Sequence, residues 1–198
     1  MLSVVTRASG VGGTAEATDL LLAWSGGKDS ALALQALRAD PAWRVVALVT
    51  TMTRDYDRIS IHGVRRAVLE AQVGAVGLPL IEASIPAAAS NQVYEAAFAE
   101  ALILARGRWP ELRHIAFGDL FLADVRAYRE ALLARLGWSG VFPLWGLDTA
   151  ALARRFVADG YRAILTLRRY HAAGCGVRRP TVRRRPARPD ARDRGPLR

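Results

Sequence analysis

A chain of 198 residues, 52% of them hydrophobic, can bury one full core, so a single domain is expected rather than two. The net charge of +10 and the pI near 11.0 invite a nucleic-acid reading. That charge is local, because residues 168–198 hold eleven Arg and two Asp, net +9, and leave +1 for the first 167 residues. No run reaches membrane-spanning length, residues 1–19 lack the apolar block of a signal peptide, and Cys175, the lone cysteine, excludes an internal disulfide. A cytoplasmic protein without a membrane partner is expected, with nucleic acid engaged only non-specifically through the arginine-rich tail.

Residues 1–19 are small and polar and are expected to be unstructured. The apolar run Leu20-Leu21-Leu22-Ala23-Trp24 then predicts a buried strand, and Ala31 to Leu37 predicts a helix. Between them lies Ser25-Gly26-Gly27-Lys28-Asp29-Ser30. Paired glycines allow successive backbone N–H groups to converge, and the helix start aims its free donors and positive dipole end at the same point. Such a point suits a phosphate. Lys28, the only lysine among 28 basic residues, adds a compact cation; Asp29 is a candidate magnesium ligand, and Ser25 and Ser30 supply hydroxyls. The spacing matches neither Gly-x-x-x-x-Gly-Lys-[Ser/Thr] nor Gly-x-Gly-x-x-Gly. A plain glycine turn with a capping Asp or Ser is the alternative.

Asp40-Pro41 closes the first helix, and Arg44 to Thr50 reads as a second buried strand. Thr50 and Thr51 fall at its carboxyl end, where open parallel sheets bind ligands, and are expected to meet the adenosine half of a nucleotide. Residues 52–60 read as a loop and 61–76 as a helix that would set His62 and Arg65 one turn apart on one face. Gly77 to Ala83 predicts a strand, 91–107 a helix, and His114 to Phe117 a strand, after which Asp119 shares the carboxyl rim with Lys28 and Thr50. Ala123 to Leu136 predicts a helix bearing Arg126 and Glu130. Gly140 to Leu144 predicts a strand, Asp148-Thr149 caps a helix ending near Gly160, and Tyr161 to Leu167 predicts a last strand. The alternation implies an α/β fold with a doubly wound, mostly parallel sheet of five to six strands. From Arg168 onward no apolar period remains, and disorder is expected.

Ser25 to Ser30 resembles the Ser-Gly-Gly-x-Asp-Ser pyrophosphate loop of the adenine nucleotide alpha-hydrolase-like (PP-loop) superfamily. Over residues 20–167 the chain resembles, more narrowly, the ATP-binding family typified by diphthine–ammonia ligase. Arg126, Glu130, Arg135-Leu136-Gly137 and Pro143-Leu144-Trp145 match that family's pattern in order and separation, and Ile61–Arg65 and Phe117–Phe121 look like its bacterial branch. The resemblance implies a Rossmann-like fold and an ATP- and Mg2+-dependent ligase that adenylates a small-molecule or protein-borne carboxylate, releases pyrophosphate and passes the acyl group to ammonia. It implies nucleotide contacts from Ser25, Gly26, Gly27, Lys28, Asp29 and Ser30, a catalytic role for Lys28 and substrate contacts from Arg126 and Glu130, which could otherwise merely pair across a turn. Place on the carboxyl rim adds Thr50 and Thr51 for the nucleotide and Asp119, otherwise a helix cap, as a catalytic candidate. His62 and Arg65 are further substrate-site candidates. Family members continue into an acidic Gly-Glu-x-Gly-Glu-Phe-His-Thr segment; here the sequence is arginine-rich, as in a truncated or frame-altered member. A nucleotide-binding module with a polyanion- or RNA-binding tail is the alternative function.

Overall fold

The computed structural model describes residues 16–163. The elements are β1 (Thr18–Ala23), α1 (Lys28–Ala39), β2 (Trp43–Thr53), β3 (Arg58–Ile59), α2 (Arg66–Val76), β4 (Leu80–Ile85), α3 (Asn91–Arg108), β5 (His114–Ala116), α4 (Ala123–Arg135), β6 (Ser139–Val141) and α5 (Thr149–Ala158). Five strands run parallel in the order β4-β2-β1-β5-β6. The order therefore reverses at β1, whose neighbours are the strand that follows it and the strand after the return crossover. In an open parallel sheet that reversal splays the crossovers apart and leaves a crevice at the carboxyl ends of β1 and β5.

The strands are buried on both faces, as their near-continuous apolar runs require. On β1, Leu20 and Leu22 join the core with Leu32 and Leu37 of α1, Leu69 of α2 and Phe156 of α5. Leu21 points the other way, to Phe98 and Leu102 of α3 and Leu133 of α4. The α/β fold with a doubly wound, mostly parallel sheet is thus present, with helices on both faces.

Several local features differ from the sequence reading. β1 begins at Thr18, inside the segment expected to be unstructured. The expected loop 52–60 is a hairpin: β2 continues to Thr53 and β3 returns antiparallel, pairing Met52 with Ile59 and Thr53 with Arg58. β4 already occupies one edge of β2 at those residues, so β3 takes the edge that β1 uses lower down, directly beyond the end of β1. The third concerns α2, which starts at Arg66 rather than Ile61, because Ile61 and Gly63 hold φ of 67° and 66° and the helical path cannot pass through them. His62 and Arg65 therefore do not share a helix face. Of the expected last strand, Tyr161 to Ala163 are irregular and 164–167 lie outside the described residues, as do 1–15 and the tail 168–198.

Arg66 ties the hairpin down. Its guanidinium meets both oxygens of Glu82 on β4, at 2.7 and 3.0 Å, and Asp57 in the hairpin turn. These hydrogen bonds, to Glu82 first and then Asp57, raise the Arg66 pKa above its ordinary value. No helix among the described residues is long and apolar enough to cross a membrane.

Candidate functional site

Trp24 closes β1 with an N–H bond to the Val49 carbonyl at 2.8 Å, and the chain then turns through Ser25, Gly26 and Gly27. Gly26 has φ 73°, a conformation that a side chain would strain. The loop organises itself through its two serines. The buried Ser30 hydroxyl donates to the Gly27 carbonyl at 2.9 Å and accepts from the Ser25 hydroxyl, while Ser25 Oγ accepts the Gly27 N–H at 3.3 Å. α1 begins with no side-chain cap at Gly27. The helix start thus presents its first-turn amides and positive dipole end without a side-chain acceptor from Gly27.

The facing wall is the turn after β5. Gly118 runs so close to α1 that a Cβ there would lie 2.8 Å from the carbonyl carbon and oxygen of Asp29 and 3.2 Å from the Ser30 nitrogen. Only glycine fits without moving backbone. Between these turns, over the ends of β1, β2 and β5, opens a cleft of about 510 Å³. Ser25, Asp29, Ser30, Thr50, Thr51 and Asp119 line it together. Thr50, a cleft-lining residue 4% exposed, has a buried hydroxyl with no hydrogen-bond partner among the described residues. This orphan hydroxyl and the uncapped helix start fit a nucleotide with its phosphates at the loop.

The cleft also has an apolar and aromatic lining: Ile85, Tyr94, Phe98, Phe117, Val125 and Tyr128. Tyr94 stacks on Phe98 with centroids 5.8 Å apart. Arg129 lays its guanidinium 4.3 Å over Phe117 and brings Nε within 2.8 Å of Asp119 Oδ2. That approach is off the N–H direction, so the pair is held by charge and both atoms lack an aligned hydrogen bond. Tyr128 donates to Glu95 at 3.0 Å. Burial first, and then that bond to a carboxylate, push the Tyr128 phenol up to about 12.

The other expected site residues divide. Gly26, Gly27 and Lys28 shape the loop but are not among the cleft-lining residues; the Lys28 ammonium pairs with Asp29, both side chains about two-fifths exposed. His62 lines the mouth of the cleft beside Ile61 and is exposed. Arg65 is exposed at the start of α2, outside the lining. Arg126 and Glu130 pair with each other at 2.8 Å, one turn apart on α4, and also lie outside it. Arg126 stacks 4.6 Å over Phe142 and 4.7 Å over Trp145, bracing the turn after β6. As for metal, no group of three His, Cys, Asp or Glu side chains forms among the described residues; Asp29 and Asp119 are the cleft's carboxylates.

Sequence reasoning left two features of this site without a role. Gly118 carries a glycine signal beside Asp119, but its necessity depends on where α1 lies. Arg129 reads as a solvated helix charge, and only the packing of α4 against β5 turns it onto Asp119 and Phe117.

No match is found among curated proteins. Among solved structures, the chain is similar to a predicted subunit of tRNA methyltransferase from Methanocaldococcus jannaschii DSM, at 17% identity and TM-score 0.41, over 70% of this chain and 73% of that one. The sequence from 19 to 137, which spans the pyrophosphate-type loop, the hairpin, Gly118-Asp119 and α4, matches the family described as Diphthamide synthase N-terminal domain. The chain belongs to that family, and with it to the PP-loop superfamily of α/β domains.

Proposed function

We propose that this protein binds ATP with Mg2+ in the cleft and uses it to activate a carboxylate for amide formation. The observation that carries the reading is the uncapped start of α1 behind the Ser25–Ser30 loop, opening into a cleft at the reversal of strand order. Phosphates at this point would satisfy the first-turn amides and gain from the helix dipole. Lys28, released from its exposed pair with Asp29, supplies a mobile cation for the departing pyrophosphate. Thr50 and Thr51 take the sugar or base side.

In the reaction proposed, a carboxylate oxygen attacks the α-phosphorus, the bond to the bridging oxygen breaks, and pyrophosphate leaves into the loop. Ammonia then adds to the acyl carbon of the adenylate, the nitrogen loses a proton to solvent, and AMP departs with the former carboxylate oxygen. Negative charge grows on the pyrophosphate as it leaves, and preorganised amides with a nearby ammonium stabilise that charge more than the ground state. Mg2+ would neutralise phosphate oxygens, and Asp29 and Asp119, the carboxylates lining the cleft, would hold it. Tyr94, Phe98 and Phe117, which also line the cleft, suit the acceptor. The likeness of Ile61–Arg65 and Phe117–Phe121 to the bacterial branch favours an acceptor other than diphthine.

The test is pyrophosphate release from ATP with ammonium and a panel of carboxylic acids. Acceptor-dependent release that fails in Asp119→Asn and Lys28→Ala is expected. Release with no acceptor dependence, equal in both variants, contradicts the ligase reading.

A further inference from the structure

The side chain of Gln72, on α2, reaches across 46 residues of sequence to the loop. Its Nε2 donates to the Gly26 carbonyl at 3.0 Å, and its Oε1 accepts the Trp24 indole N–H at 3.1 Å. The amide can sit only one way round, since the indole can only donate and the carbonyl can only accept. Gly26 is pressed against it: a Cβ on Gly26 would lie 2.8 Å from Gln72 Oε1.

We propose that Gln72 is a positioning residue that locks the Gly26–Gly27 peptide in its anion-binding orientation. In a trans peptide the C=O and the following N–H point in opposite directions. Holding the Gly26 carbonyl toward α2 therefore turns the Gly27 N–H the other way, toward cleft-lining Ser25, whose Oγ engages it at a long 3.3 Å. A peptide between two glycines rotates with little steric resistance. Freed of Gln72, it can turn its carbonyl oxygen to the phosphates, replacing a donor by a dipole of the wrong sign. Trp24, 5% exposed and itself lining the cleft, fixes the other end of the Gln72 amide, so β1, the loop and α2 are joined through one side chain.

This inference rests on the nucleotide reading above, and the test separates the two. MgATP and adenosine are titrated calorimetrically into the full chain at about 0.2 M salt, where arginine-rich sequence contributes little affinity. Gln72→Met keeps the length and loses both bonds; MgATP should bind roughly five- to tenfold more weakly, the worth of one or two hydrogen bonds, with adenosine unchanged. Gln72→Glu adds a pH signature. Protonated, the introduced carboxyl can donate to the Gly26 carbonyl as the amide does; ionised, it repels that oxygen. MgATP affinity relative to wild type should fall as pH rises through the pKa of that carboxyl, ordinarily about 4.3, which the Gly26 carbonyl raises and the Trp24 indole N–H lowers. This ratio is read within one folded variant, so it decides the matter even if Gln72→Met fails to fold. Equal loss of adenosine and MgATP affinity, or a ratio flat with pH, overturns the lock while leaving ATP binding intact. Absence of MgATP binding in the wild type overturns both.

Discussion

Gly118 and Asp29 meet backbone to backbone: a Cβ on Gly118 would stand 2.8 Å from the Asp29 carbonyl carbon. The contact joins the turn after β5 to the first turn of α1, and both turns line the cleft. Gly118→Ala must push one of the two turns away, at a cost of about 1–3 kcal/mol, the usual penalty for overpacking. Denaturant unfolding should show that loss, and MgATP affinity should fall with it. A variant as stable as wild type with unchanged affinity would mean that the two turns are not held together.

Arg126 presents the opposite case. Its guanidinium is stacked over Phe142 and Trp145 and paired with Glu130, away from the cleft lining. Two partly exposed cation–π contacts and an exposed i,i+4 pair are together worth about 1–2 kcal/mol. Arg126→Met should lower the unfolding free energy by about that amount and leave MgATP affinity within about twofold. A large drop in affinity at unchanged stability would move Arg126 into the site.

Tyr128 offers a test by pH. Its phenol is pushed up to about 12 by burial and by its bond to Glu95, above the ordinary value near 10. The folded state therefore holds the proton more tightly than the unfolded state. The corresponding stability is complete below about pH 10 and is lost as pH rises through 12. Between those values wild type should lose stability faster than Tyr128→Phe, measured as the difference between the two denaturation profiles. Parallel profiles would contradict the shift.

Much of this arrangement is legible in the residues, because it depends on local pattern. Leu20 to Trp24, the glycine loop and the apolar face of α1 announce strand, turn and helix in sequence, and the buried β-branched run of β2 does the same. The hairpin is different. Arg58-Ile59 is too short to show a period, and its pairing with Met52 and Thr53 is decided by the free edge of β2 beyond β1. Nor does a helical spacing warn that Ile61 adopts φ 67°, although Gly63 two residues on is the kind of residue that stops a helix. Residue roles that depend on which helix face meets which strand stay hidden: Arg126 finds two aromatic rings, while Arg129, three residues away, finds Asp119. Gln72 is the extreme instance, a polar residue in an apolar helix whose partners are known only once α2 lies beside the loop.

If Ser25 to Ser30 is a phosphate site, Lys28 is its mobile cation. Among the described residues Lys28 is committed only to its neighbour Asp29, both side chains about two-fifths exposed, a pair worth about 0–1 kcal/mol and easily given up. A charge-assisted contact to phosphate is worth more, about 1.5–3 kcal/mol. The direct measurement is calorimetric titration of MgATP into wild type and Lys28→Ala. The site as described predicts binding by wild type and a loss of about 1.5–3 kcal/mol in the variant; equal affinity in the two would contradict it.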